Sequence, residues 1–269
     1  MHGLGNDFIL IDGRSSALST GLPEFSSISE RLCSRRFGIG ADQVLVLIDS
    51  EIADFKMRIF NADGSEVEMC GNGIRCLAKY IWDRKMSDKP VLSIETLGGI
   101  IRPEQSGDLV RVDMGEPLFE PESIPVKHHG MVKDVPLTIE KELFTMTCLS
   151  MGNPHAVIVV DDIDHFDVQK FGPLIEHHEL FPNRINVEFV QVINPETVRM
   201  RVWERGSGET MACGTGASAV AVALNVKELT EKEIKVLLLG GELMVKWARD
   251  NHVYMTGPAV EVYEGSIVI

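Results

Sequence analysis

FNADGSEVEMCGNGIRCLAKY, residues 60–80, sets a cysteine between an acidic Gly/Ser loop and a helix-like run, and WERGSGETMACGTGASAVAVAL, residues 203–224, repeats the arrangement. Cys70 and Cys213 are each followed by Gly-x-Gly and then by a run that predicts a helix, IRCLAKY in one case and ASAVAVAL in the other. Small residues at a helix start leave backbone N–H groups uncovered. Such a start carries about half a positive charge, so it favours a thiolate or a bound carboxylate. The plainer alternative is that these residues only allow close helix packing around two inert thiols. Recurrence of the whole context, once per half-chain, argues against it.

A second repeat widens the first. GNDFILID at 5–12 and GNPHAVIVVD at 152–161 share Gly-Asn, an apolar strand pattern and a closing Asp, in the same order as the cysteine loops. The chain therefore reads as two similar folds joined head to tail. We expect an α+β protein made of a first domain at 1–116, carrying Cys70, and a second at 117–269, carrying Cys213. The segment Pro117–Lys133, rich in proline, glycine and charge, is the expected linker. Ala259–Gly265 alternates and is expected to complete a sheet, returning to the first domain.

Strands are further predicted at Asn6–Asp12, Ala41–Ile48, Phe55–Asn61, Pro90–Glu95, Leu109–Met114, from Asn186, at Val198–Arg205, Val236–Leu239, Leu243–Ala248 and Val253–Thr256. Helices are predicted over Leu22–Cys33 and from Cys70 to Trp82. Asn6 and Gln43 stand at strand mouths, and His155 lies just beyond Asn153. Glu204 and Arg205 directly precede the second cysteine loop, where they can supply an acceptor and a carboxylate clamp.

Composition excludes several classes. The 269 residues carry 40 acidic and 26 basic side chains, a formal charge of −14, which argues against general nucleic-acid or anionic-membrane binding. No apolar stretch approaches the roughly 20 residues of a membrane span, and no export signal is recognisable, so a cytoplasmic location is expected. Five widely spaced cysteines form neither a disulfide framework nor a zinc pattern. Cys33, Cys76 and Cys148 read as buried small hydrophobes.

Two cysteines in matching settings, with no histidine evidently paired to either, suit proton transfer better than acyl transfer. Inverting a tetrahedral carbon requires one group to remove a proton and another to return one on the opposite face. A switchable disulfide and a noncatalytic ligand-binding module are the alternatives from other classes.

FNADGSEVEMCGNG at 60–73, ERGSGETMACGTG at 204–216 and MGNPHAV at 151–157 together resemble the diaminopimelate epimerases, and the likeness runs from Met1 to the final strand. The proline racemase pattern differs, favouring histidine where this chain has Asn72. The resemblance implies two similar domains around an active-site cleft, a homodimer, no cofactor or metal, and diaminopimelate as substrate. It makes Cys70 and Cys213 the catalytic pair, with support from His155 and Glu204. It further implies substrate contacts from Asn6, Gln43, Asn61, Gly71 and Asn72, and from Asn153, Asn186, Glu204, Arg205, Gly214 and Thr215. A smaller amino acid turned over by the same cysteine pair is the nearest alternative.

Overall fold

The computed structural model describes residues 1–14 and 25–267. Two compact units divide the chain, Met1–Val112 with Gly257–Ile269, and Asp113–Thr256. The first holds a six-stranded sheet in sequence order: β1 (His2–Gly3), β2 (Asn6–Asp12), β3 (Gln43–Ile48), β4 (Phe55–Asn61), β5 (Ile94–Thr96) and β6 (Gly99–Ile101). Val44, Leu45, Val46 and Leu47 are all fully buried, so this apolar run without alternation forms a central strand covered on both faces. Helix α1 (Phe25–Cys33) lies between β2 and β3, and α2 (Gly71–Asp83) between β4 and β5. A hairpin of β7 (Glu104–Ser106) and β8 (Leu109–Asp113) follows.

The second unit carries β9 (Val135–Ile139), β10 (Glu142–Ser150), β11 (Pro154–Val159), β12 (Asn186–Asn194), β13 (Thr197–Glu204), β14 (Gly208–Thr210), β15 (Glu233–Leu238), β16 (Gly241–Trp247) and β17 (Val253–Gly257). Their order is β17-β16-β15-β13-β12-β11-β10-β9, with β14 paired to β13. Helix α3 (Val168–Glu176) lies between β11 and β12, and α4 (Gly214–Val226) between β13 and β15. Ten residues of α4, from Gly214 to Leu224, are buried; an almost wholly apolar helix is stable only where it is covered all round.

Both units repeat one topology. In the first, β2 runs parallel to β3, β3 antiparallel to β4, and β4 parallel to β5 beyond the cysteine helix. In the second, β11 runs parallel to β12, β12 antiparallel to β13, and β13 parallel to β15 beyond the cysteine helix. The registers match as well: Phe8 sits opposite Gln43 and His155 opposite Asn186, each two residues beyond the Gly-Asn pair. The glycines entering those strands take the same positive φ, 85° at Gly5 and 89° at Gly152, a conformation that other residues adopt only with strain.

Several expectations need correcting. The expected linker Pro117–Lys133 is no tether, because Ile124, Val126 and Val132 are buried in the apolar core of the second unit. Pro90–Glu95 contributes only Ile94 and Glu95 to a strand, with Val91 making a single bridge to Glu104. Ala259–Gly265 forms no strand; it is held instead by the His2–Val260 bridge and by Arg84 on Glu261 and Glu264. Leu22–Glu24, the expected start of α1, lies outside the described residues. The β9–β10 hairpin and α3 were not anticipated. The hairpin turns through Glu140 at φ 56° without a glycine, and Gly172 and Pro173 interrupt the periodicity of α3.

Among the described residues no helix is long and apolar enough to cross a membrane, and no group of three or more His, Cys, Asp or Glu side chains is placed to hold a metal ion. Cys33, Cys76 and Cys148 are buried. Burial pushes Cys33 up to about 11 and Cys76 up to about 12, and raises Cys148 as well, so these thiols stay protonated and packed.

Candidate active site

Each repeated cysteine is the N-cap of its helix. Cys70 takes an extended conformation (φ −141°, ψ 114°) and its Sγ accepts from Gly73 N at 3.4 Å. Cys213 does the same (φ −123°, ψ 116°), with its Sγ 3.4 Å from Gly216 N. Sulfur therefore stands where Ser, Asp or Asn usually caps a helix, and it satisfies one of the first unpaired N–H groups. The glycine at the third helical position lets neighbouring side chains approach the helix start closely. A Cβ there would meet Leu45 Cδ2 at 3.1 Å in the first unit and Glu188 Oε1 at 2.8 Å in the second.

In the first unit, Asn6 Oδ1 accepts from Asn72 Nδ2 at 3.3 Å and from the Cys70 thiol at 3.8 Å. Asn6 Nδ2 donates to Asp42 Oδ2 at 2.9 Å, and Arg35 bridges Asp42 and Asp7. That ion pair holds Asp7 below the usual carboxylate range despite partial desolvation. Gln43 and Asn61 form a second set: Gln43 Nε2 donates to Asn61 Oδ1 at 2.8 Å, and Asn61 Nδ2 to Ser65 Oγ at 3.0 Å. Gln43 Oε1 is buried with no protein partner among the described residues.

Arg75 was read only as a helix residue, yet it is fully buried in α2. It donates to Gly71 O at 3.3 Å and to Pro258 O at 3.2 Å. Desolvation lowers its pKa, while Cys76 and Cys70 act in the opposite sense.

In the second unit, His155 Nε2 meets Asn153 Oδ1 at 2.9 Å and its Nδ1 meets Glu188 Oε1 at 2.7 Å. Asn186 donates to Pro154 O at 2.8 Å and accepts from Arg205 N at 2.9 Å. The Arg205 guanidinium leans on Asn183 O at 3.3 Å. Thr210 Oγ1 donates to Glu204 Oε1 at 2.5 Å, and Cys213 Sγ lies 3.4 Å from Thr215 Oγ1.

The two cysteines sit in unlike environments: Cys70 is part-exposed and Cys213 is buried. At Cys213, burial and the carboxylates of Glu204 and Glu188 push the thiol well above its ordinary value, against the pull of Thr215 and the Gly216 N–H. At Cys213, desolvation and two acidic neighbours outweigh the helix N-terminus. Burial also raises Glu204, against the hydrogen bond from Thr210.

Asn61 and Glu204 each end a strand nine residues before their cysteine, Gln43 and Asn186 each begin the strand beside it, and Asn6 and Asn153 each follow the turning glycine. The candidate residues thus occupy equivalent positions in the two units. Glu188 went unnoticed as a site residue, although a carboxylate inside the apolar run NVEFV was a readable signal.

A sequence model of the diaminopimelate epimerase family matches residues 1–120 and 147–262. Diaminopimelate epimerase of Acetivibrio thermocellus is 51% identical over 99% of this chain and 96% of its own length. That of Methanococcus maripaludis is 50% identical over 100% and 98%. Among solved structures, a phenazine biosynthesis protein of the PhzF family from Bacillus anthracis aligns with a TM-score of 0.69 at 19% identity, over 100% of this chain and 95% of its own. A probable proline racemase from Agrobacterium radiobacter aligns with a TM-score of 0.66 at 16% identity, over 96% and 88%. At those identities the likeness is one of fold alone.

Proposed function

The chain belongs to the diaminopimelate epimerase family, and from that premise we propose that Cys70 and Cys213 are the thiolate and thiol that interconvert LL- and meso-2,6-diaminopimelate. One observation supports this most: each half opens its helix with a cysteine as N-cap, its sulfur 3.4 Å from the third residue's N–H. In one direction Cys70 removes the α-proton and Cys213 supplies the replacement; in the other the roles exchange. The resting proton belongs on Cys213, where burial and two carboxylates disfavour a further negative charge.

The α-proton of an amino acid is very weakly acidic, so the carbanion also needs donors fixed around the substrate carboxylate. The helix-start N–H groups of Gly71 and Asn72, and of Gly214 and Thr215, are suited to that task. Asn6, Gln43 and Asn61, with Asn153, Asn186, Glu204 and Arg205, supply the remaining polar contacts, and His155 supports the acid/base pair. Substrates lacking the distal amino-carboxylate are rejected because they leave such groups unpaired. The reading uses no cofactor, since both proton transfers are made by thiols. We further place the chain in the cytoplasm as a homodimer serving lysine biosynthesis; a particle of twice 29.8 kDa by light scattering checks the assembly.

Purified protein incubated with LL-diaminopimelate in D₂O is expected to yield meso product carrying one α-deuterium, without added pyridoxal phosphate or metal, and to leave proline unchanged. Absence of both inversion and deuterium incorporation would defeat the reading. Arg35→Ala tests the seating of Asn6. Because Arg35 is exposed and anchors Asp42, KM should rise about fivefold with kcat within about twofold and the unfolding midpoint nearly constant.

A further inference from the structure

The matching topology of the two units allows a position-by-position comparison. Two residues beyond Asn6 and Gln43 stand Phe8 and Leu45; two residues beyond Asn153 and Asn186 stand His155 and Glu188. Leu45 and Phe8 lie under Gly73, and Glu188 lies under Gly216, the glycine at the third position of each cysteine helix. A Cβ on Gly73 would meet Leu45 at 3.1 Å and Phe8 at 3.5 Å, and one on Gly216 would meet Glu188 Oε1 at 2.8 Å and Cys213 Sγ at 3.3 Å. One fold thus holds an apolar pair in the first unit and a polar, ionisable pair in the second, and His155 and Glu188 are both 0% exposed.

Stability does not explain the difference. Replacing a buried ion pair by apolar residues of similar volume is often neutral or stabilising, and the first unit makes that replacement itself. The hydrogen bonds point to a different role. Glu188 Oε1 and Asn153 Oδ1 flank the two nitrogens of one imidazole at 2.7 and 2.9 Å. Both ring nitrogens are thus engaged, which fixes the plane and tilt of the imidazole. Glu188 Oε2 is buried with no protein partner among the described residues, a cost borne beside the sulfur.

We propose that Glu188 is a positioning residue of the Cys213 half-site: it locks the His155 ring, through that ring seats the Asn153 amide, and places a carboxylate against the helix start that carries the sulfur. This rests on the reading of Cys213 as one of the two acid/base groups. It explains why two units of one topology present unlike thiols, since the apolar pair of the first unit has no counterpart of this charge. The ionisable groups around Cys213 are Glu204 from β13, Glu188 from β12 and His155 from β11; Cys148 on β10 in turn feels Glu188.

The test uses Glu188→Gln in the full chain. Loss of the carboxylate lets the Cys213 thiol ionise at lower pH. The alkaline limb of kcat/KM should therefore move down by about one pH unit, equally in both reaction directions, with KM within about threefold. The midpoint of Cys213 alkylation against pH, followed by mass spectrometry, should move down with it. A folded Glu188→Gln whose limb and alkylation midpoint both stay in place overturns the proposal. The alkylation result stands independently of turnover, so a wild-type chain inactive on diaminopimelate would defeat the functional reading while still deciding this one. The double variant His155→Phe with Glu188→Leu installs the pair found in the first unit. It is expected to keep the wild-type unfolding midpoint and lose at least 100-fold in kcat/KM; turnover within threefold of wild type would also overturn the proposal.

Discussion

Cys213→Ser is expected to cut the interconversion of LL- and meso-diaminopimelate by about 10³-fold while moving the unfolding midpoint by no more than about 2 °C. The two expectations have separate physical causes. Serine is among the preferred N-cap residues, so the hydroxyl can accept from Gly216 N in place of sulfur and the helix start survives. The hydroxyl is a far weaker acid than a thiol, so it cannot deliver the proton that completes inversion. Cys70 remains able to remove the α-proton and return one to the same face. Cys213→Ser should therefore retain slow deuterium incorporation into the LL isomer without forming meso product, and Cys70→Ser should show the mirror behaviour starting from the meso centre. Wild-type turnover in either variant would remove the two-thiol assignment.

Arg75→Met is expected to lower stability by about 3 kcal/mol, read as a fall of about 8 °C in the unfolding midpoint. Arg75 is fully buried and joins two parts of the first unit that are far apart in sequence, donating to Gly71 O beside Cys70 and to Pro258 O in the returning tail. Methionine fills much of the volume but removes the donor to Pro258 O and the second donor to Gly71 O, which keeps its helical backbone partner. Arg75→Lys should rescue little, because one ammonium at the end of a flexible stem does not reproduce a planar fork with several donors. An unchanged midpoint in Arg75→Met would show that the tail is held by the His2–Val260 bridge and the Arg84 ion pairs alone.

The duplication was legible because two independent signals, Gly-Asn before a strand and Cys-Gly-x-Gly before a helix, occur twice in the same order. Both have local physical causes: a positive φ at Gly5 and Gly152, and a sulfur that caps a helix start and accepts from the glycine N–H at its third position. The central strands were legible for the same kind of reason, as apolar runs bounded by turn residues. The elements missed or misjudged lack a local signal. The β9–β10 turn has no glycine, α3 carries Gly172 and Pro173 in its middle, and Ala259–Gly265 alternates like a strand but makes one bridge among the described residues.

At the candidate site, the sequence by itself determined that the candidate residues recur at matching places, Asn6, Gln43, Asn61 and Cys70 in one half and Asn153, Asn186, Glu204 and Cys213 in the other. Only the tertiary structure decided how the two halves differ. Helix-start electrostatics are the same for both cysteines and predict like behaviour. Burial and neighbouring charge depend on residues brought in from other strands: Glu188 from β12, Glu204 from β13 and His155 from β11. Desolvation and Coulomb interactions follow distance in space rather than separation along the chain. The charge surrounding Cys213 is therefore set by strands distant in sequence that the fold places beside it.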